Sequence, residues 1–400
     1  MRPASQQSSR RNTSSTLDRQ TLGTLHTALF GHDQRDFPPS WRGGFTLRGA
    51  GGLACGLTQR EGGPCGVLAV VQAYTIRELI KRSEVESIDQ STLTRQEAAD
   101  ALLTALAHII WAARVGRLAT VVSCKGRELP PIHAAAEALT ATQCNSQADV
   151  LNALRACSGV YTLADGPGIA LLLYSVALTR GIAMLGRDAD FPTPLIGVNG
   201  YCSQELVNLL LIGRAHSNVF DGEKNVGGDE NEGEATNGGG EGCGVRLKGV
   251  PRRSLVGFLT LFERQGAEGT LLTVGSYYKR PCTAVFVVQS ESHYSVLWAQ
   301  GGPPADLLWD PSDRLPGDPM PDAGCGDEED EELPPAQLAD GDSIELNYYD
   351  QMAERSDAVR LTLRRAARGA EPEHAAPLEL VIKTRWPAAE IDWNGEEIIL

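Results

Sequence analysis

A single thiol stands where the chain could use one. In Thr58-Gln59-Arg60-Glu61-Gly62-Gly63-Pro64-Cys65-Gly66, a turn bounded by glycines opens into a long apolar stretch. From Val67 to Ile80 the spacing predicts a helix, with Val67, Val70, Val71 and Tyr74 on one face and Leu68 and Ala69 making the other side apolar too. A cysteine at the amino-terminal end of such a helix meets unpaired backbone N–H groups and the positive pole of the helix dipole. Both favour the thiolate, the nucleophilic form of the side chain. The small side of Gly66 is expected to leave the sulfur uncovered. The chemistry on offer is nucleophilic attack on an acyl carbon.

A thiol nucleophile needs a base within hydrogen-bond reach. Among the histidines, His26, His32, His133 and His374 lie in polar or terminal stretches, and His108 lies among apolar helix residues. His293 differs, standing between two apolar runs in Gln289-Ser-Glu-Ser-His-Tyr-Ser-Val-Leu-Trp298. A histidine between two core strands is held firmly and can face a cleft; the same position also suits a structural imidazole. Helix cysteine first and strand histidine much later is the papain-like order. Gln59, six residues before Cys65, has an amide that could donate to the oxygen of a tetrahedral intermediate beside the backbone N–H of Cys65. Equally, it could be a turn glutamine facing water. Arg214, His216, Ser217 and Asn218 form a polar cluster open to two readings, a cleft-ordering group or a helix end satisfying its own carbonyls.

These residues need a scaffold. Residues 1 to about 20 are polar and are expected to be disordered, with an amphipathic segment from Leu22 to Phe30 beginning the fold. Helices are expected at Gln96 to Val115, around Val150 to Leu154, at Gly168 to Thr179 and at Gln204 to Ile212, the last capped by Ser203. The middle of the chain thus reads as a helical subdomain. A strand is expected at Thr283 to Gln289, and Leu378 to Trp386 alternates like another. Between Asp221 and Gly244 there are nine glycines, seven acidic residues and one large apolar side chain, Val226. Such a segment cannot offset its ordering entropy and is expected to be a flexible insert. A second insert, rich in proline and acid, runs over 301–342. Helices around a few late strands make the fold α+β, a single domain over 21–400.

Composition excludes several classes. A formal charge of −15 over 400 residues argues against a nucleic-acid binder or an anionic-membrane binder. No run of about eighteen apolar residues suggests a membrane span, and the amino terminus lacks a signal core. Nine cysteines, an odd number without a C-x-x-C pair, disfavour a disulfide framework and a zinc site. A cytoplasmic, or also nuclear, location is expected.

The block Leu57-Thr-Gln-Arg-Glu-Gly-Gly-Pro-Cys-Gly-Val-Leu-Ala-Val-Val-Gln72 closely resembles the catalytic segment of the MINDY deubiquitinases, in particular the fourth branch of that family. The resemblance continues through Leu211 to Asp221, Gly257 to Glu263, Ser290 to Leu297, Tyr348 to Asp350, Pro377 to Trp386 and Ile391 to Gly395. It implies a papain-like cysteine peptidase that cleaves isopeptide bonds in polyubiquitin, with a preference for lysine-48-linked chains. Carried over, Cys65 is the nucleophile, His293 the general base and acid, and Gln59 part of the oxyanion hole. Ubiquitin and its chains are the implied partners, and no metal or cofactor is implied. For a third residue orienting the imidazole, Asp306, Asp310 and Asp350 remain open. Two alternatives stand beside this reading: a catalytically silent ubiquitin-binding protein, and a cysteine peptidase acting on another ubiquitin-like substrate.

Overall fold

The apolar stretch after the cysteine turn forms one helix, Cys65–Arg82, two residues longer at each end than the spacing predicts. Every side chain on it from Cys65 to Leu79 is buried, so the helix is enclosed on all sides. The computed structural model describes residues 12–32, 35–49, 52–82, 93–227, 245–265, 271–299, 343–353, 357–365 and 375–397. Helix Arg95–Ala112 packs along the central helix and starts on a capping box between Thr94 and Glu97. Helix Gln204–Ile212, capped by Ser203 as expected, packs on another side.

A small antiparallel sheet lies in the amino-terminal half, with β1 (Thr13–Thr16), β2 (Ala119–Cys124) and β3 (Leu139–Cys144) in the order β1–β3–β2. Strand β1 corrects part of the expected disorder over 1–20, since residues 13–16 pair with β3 and residues 1–11 lie outside those described. The free edge of β2 is capped by helix Gly168–Arg180. Ser175 Oγ accepts from the Val122 N–H at 2.8 Å, and Thr179 Oγ1 from the Thr120 N–H at 2.8 Å. The few polar side chains of this apolar helix therefore close a sheet edge.

Strands β4 (Glu223–Val226) and β5 (Val245–Lys248) pair as an antiparallel ribbon. The first residues of the expected flexible insert at 221–244 are thus paired; residues 228–244 lie outside those described, as does the whole of 301–342.

The late strands are β6 (Gly257–Thr260), β7 (Val285–Ser290), β8 (His293–Ala299), β9 (Ser343–Tyr349), β10 (Val359–Arg365) and β11 (Ala389–Asp392). They form one sheet in the order β11–β10–β9–β8–β7–β6, antiparallel except for β6 beside β7. Side-chain alternation splits the sheet between two cores. Val285, Val287, Tyr294, Val296 and Trp298 join the large cluster around the central helix. Phe286, Val288 and Leu297 join a second cluster beneath helix Pro377–Arg385.

That last helix corrects the strand expected from Leu378 to Trp386. Leu378, Val381 and Ile382 are spaced i, i+3, i+4 and bury one helical stripe, with Pro377 in the first turn. Apolar residues at 378, 380 and 382 imitate a strand's alternation, but the face needing cover is that of a sheet already hydrogen-bonded edge to edge. The architecture is α+β. Among the described residues no single helix is long and apolar enough to cross a membrane.

Candidate active site

Cys65 is the first residue of the central helix and is 3% exposed. The turn before it depends on Gly63, which sits at φ +126°. A Cβ there would lie 2.9 Å from Ser40 Oγ and 3.1 Å from the Gly200 carbonyl oxygen. Contrary to the expectation from its size, Gly66 does not leave the Cys65 sulfur uncovered. Its small side instead admits Cys202, whose sulfur would be 3.0 Å from any Cβ added. The reason is packing: the segment entering helix Gln204–Ile212 lies directly on the start of the central helix.

His293 opens β8 immediately after the tight turn Ser290-Glu291-Ser292-His293, in which Ser290 and His293 pair. Glu291 adopts φ +54°, a left-handed conformation uncommon for a residue with a side chain. The turn carries the Ser292 carbonyl oxygen to 3.9 Å from Cys65 Sγ and sets the His293 ring close enough to the thiol for Cys65 to raise the ring's pKa. His293 Nε2 lies 2.8 Å from Asp350 Oδ1. Since Asp350 occupies Nε2, the nitrogen left for the sulfur is Nδ1. Asp350 follows the last residue of β9, and its Oδ1 also accepts the Met352 N–H at 2.8 Å, which fixes the carboxylate. Asp350 first and the Cys65 hydrogen bond second raise the His293 pKa to about 10, against the opposing effect of burial. The imidazole is therefore held as a cation at neutral pH.

Gln59 lies on the segment leading into the cysteine turn and is 8% exposed, so it is not a water-facing turn residue. Its Nε2 donates to the Glu61 carbonyl at 2.8 Å, and its Oε1 is buried without a partner. The side-chain amide of Gln351, next to Asp350, is likewise buried with neither polar atom paired. Unsatisfied buried groups in one neighbourhood mark a place where substrate or water supplies the missing bonds. Beside the turn a cleft of about 350 Å³ runs past Ser40, Gly43, Thr58, Gln59, Arg60 and Pro64.

Cys65, His293 and Asp350 thus come together, with Gln59 on the adjoining segment. Asp306 and Asp310 lie outside the described residues. The cluster after helix Gln204–Ile212 is a structural knot: Asn208 Nδ2 donates to the carbonyls of His216 and Asn218, and His216 Nδ1–H donates to the Gly249 carbonyl.

Residues 26–303 and 335–395 match the conserved domain described as "Deubiquitinating enzyme MINDY-3/4". The chain belongs to the MINDY-3/4 family. Cys65, Gln59, His293 and Asp350 all fall inside the matched MINDY-3/4 residues, and the unmatched stretch 304–334 falls inside the second insert. A mouse protein named "Probable ubiquitin carboxyl-terminal hydrolase MINDY-4" is 32% identical over 97% of this chain and 48% of its own length. The human protein of that name is 31% identical over 97% of this chain and 47% of its own length. A mouse "Ubiquitin carboxyl-terminal hydrolase MINDY-3" is 32% identical over 65% of this chain and 60% of its own length. The chain spans about half the length of the MINDY-4 relatives it matches. No solved structure matches.

Proposed function

We propose that this chain is a cysteine-type deubiquitinase that hydrolyses isopeptide bonds in polyubiquitin, with lysine-48-linked chains as its substrates. The reading is carried by one observation: the turn that brings the Ser292 carbonyl oxygen to 3.9 Å from Cys65 Sγ also carries His293, whose Nε2 lies 2.8 Å from Asp350 Oδ1. Family membership supports ubiquitin as the substrate class. A papain-like mechanism is supported by the order of the parts: helix cysteine, strand histidine, then an acid after the histidine.

In this mechanism the Cys65 thiolate attacks the carbonyl carbon of the ubiquitin C-terminal glycine. Negative charge collects on the carbonyl oxygen, where the backbone N–H of Cys65 donates, joined by Gln59 once its amide leaves the Glu61 carbonyl. As the C–N bond breaks, the His293 imidazolium gives its proton to the departing lysine amine. The neutral imidazole then takes a proton from water, whose oxygen attacks the thioester. The C–S bond then breaks, freeing the ubiquitin carboxylate and restoring the Cys65 thiolate beside the protonated imidazole, the carboxylic proton passing to solvent. Asp350 keeps the ring turned toward the sulfur throughout. The cytoplasm, and also the nucleus, are the proposed locations, since a free thiol nucleophile needs a reducing compartment.

The 3% exposure of Cys65 favours a second reading, a ubiquitin-binding protein that does not turn over. Ubiquitin bearing a thiol-reactive group at its C-terminus separates the two. Covalent labelling of the wild type but not of Cys65→Ala, with cleavage of lysine-48-linked tetraubiquitin lost in the variant, is the expected result. Cleavage retained by Cys65→Ala would remove the proposal, and binding without labelling would favour the silent module.

A further inference from the structure

The two halves of the site come from distant parts of the chain. Gln59 ends the segment 56–59 and Cys65 comes after it, whereas Asp350 follows β9. One side chain joins them. Tyr349, the last residue of β9 and 1% exposed, donates its hydroxyl hydrogen to the Leu57 carbonyl at 2.9 Å. The same hydroxyl oxygen accepts from Arg48 Nε at 2.5 Å. The Arg48 guanidinium lies over the Tyr349 ring, 5.5 Å from its centroid, and its Nη2 donates to the Ala353 carbonyl at 2.8 Å. Arg48 therefore grips the Asp350 segment on both sides, at 349 and at 353.

The hydroxyl sits in a space made for it. A Cβ on Gly56 would fall 2.5 Å from the Tyr349 oxygen, so only glycine at 56 lets the phenol reach Leu57. A second bond, from the Gln59 N–H to the Gln351 carbonyl at 2.8 Å, runs parallel to the first. The Asp350 backbone is thus bonded to the Gln59 segment at the residues before and after it, and the carboxylate is set relative to the helix that carries the thiol.

We propose that Tyr349, backed by Arg48, is a positioning residue that holds the Asp350–His293 pair in register with Cys65 and Gln59. The proposal rests on the cysteine-hydrolase reading. Tyr349 touches no reacting atom; it acts by fixing two segments that are otherwise tied near the site by the Gln59 N–H to Gln351 carbonyl bond and the Arg48 bond to Ala353. Removing its hydroxyl frees the Leu57 carbonyl and one Arg48 donor while leaving the ring in the core. Misplacement of a catalytic group by about 1 Å costs on the order of 100-fold in rate.

The test uses the full chain and the variants Tyr349→Phe, Arg48→Met and Arg48→Lys, with two readouts. Cleavage of lysine-48-linked chains should show kcat lowered about 10- to 100-fold in Tyr349→Phe and Arg48→Met with KM within about twofold. Arg48→Lys, which keeps a cationic donor, should recover part of the loss. Alkylation of Cys65 by iodoacetamide, followed against pH, needs no ubiquitin and reports how well the imidazole faces the sulfur. The profile should move away from the wild type in Tyr349→Phe and Arg48→Met. A wild-type alkylation profile in either variant, even with a lowered unfolding midpoint, would overturn the proposal, because a purely structural role lowers stability alone. If Tyr349→Phe does not fold, Arg48→Met decides by the same criterion. If the wild type leaves every ubiquitin chain intact, the ubiquitin reading fails while the alkylation profiles still decide the role of Tyr349.

Discussion

At the scale of single residues, the site turns on what holds the His293 ring. Its pKa, raised to about 10 chiefly by Asp350, is a statement about stability as well as, in the proposed mechanism, about the proton it holds. The folded value lies above the ordinary 6.5, so the contribution is fully present below about 6.5 and is lost as pH rises through about 10. Urea unfolding of wild type and His293→Ala between these pH values should show the difference in midpoint shrinking as pH rises; a difference that grows would contradict it. Asp350→Asn should bring the titration of the His293 ring, followed by NMR, back toward 6.5. In the proposed mechanism it should also slow turnover at neutral pH, at most by the roughly 100- to 10,000-fold that a positioned general acid–base group contributes. An unmoved titration would mean that the thiol alone holds the proton.

Secondary-structure elements bring these residues within reach of one another. The central helix anchors the approach to its own cysteine through Gln72, whose side chain is fully buried. Gln72 Oε1 accepts from the Leu57 N–H at 2.6 Å, and its Nε2 donates to the Cys55 carbonyl at 3.0 Å. One amide two turns into the helix thereby fixes the backbone that leads to Gln59. Gln72→Leu conserves volume but strands a buried donor and a buried acceptor. Each orphan costs about 1–3 kcal/mol, so denaturant unfolding should show a loss of about 2–6 kcal/mol. Cys65 labelling should fall with it. A change below about 1 kcal/mol would show that the 55–57 backbone finds other partners.

For the whole molecule, the six-stranded sheet serves two cores, and only one of them faces the site. Trp386, 1% exposed, meets Phe286 edge-on at 5.8 Å between ring centroids and seals the core on the far side. Trp386→Ala should cost about 3–5 kcal/mol by cavity formation. Because β7 and β8 both pack into this core, that loss should appear in thermal unfolding. The pH profile of Cys65 alkylation in the folded protein should stay as in the wild type. An altered profile would mean that the two faces of the sheet are mechanically coupled.

The amino-acid order alone determined the cysteine turn, the buried helix behind it and the histidine between two apolar runs. Each of these is a local pattern: a glycine-bounded turn, an all-round apolar helix, a strand boundary. The helix Gln204–Ile212 with its Ser203 cap was legible for the same reason. Helix Pro377–Arg385 was not, because Leu378, Leu380 and Ile382 also fit a period of two, and the choice belonged to the sheet face that needed covering. Asp350 could not be separated from Asp306 and Asp310 by type or position. Its role follows from the register of β9 against β8, where Tyr349 pairs with Val296 and the next residue turns toward His293. Pairing between strands separated by a long insert is a tertiary fact, since hydrogen bonds across that gap leave no period in the sequence.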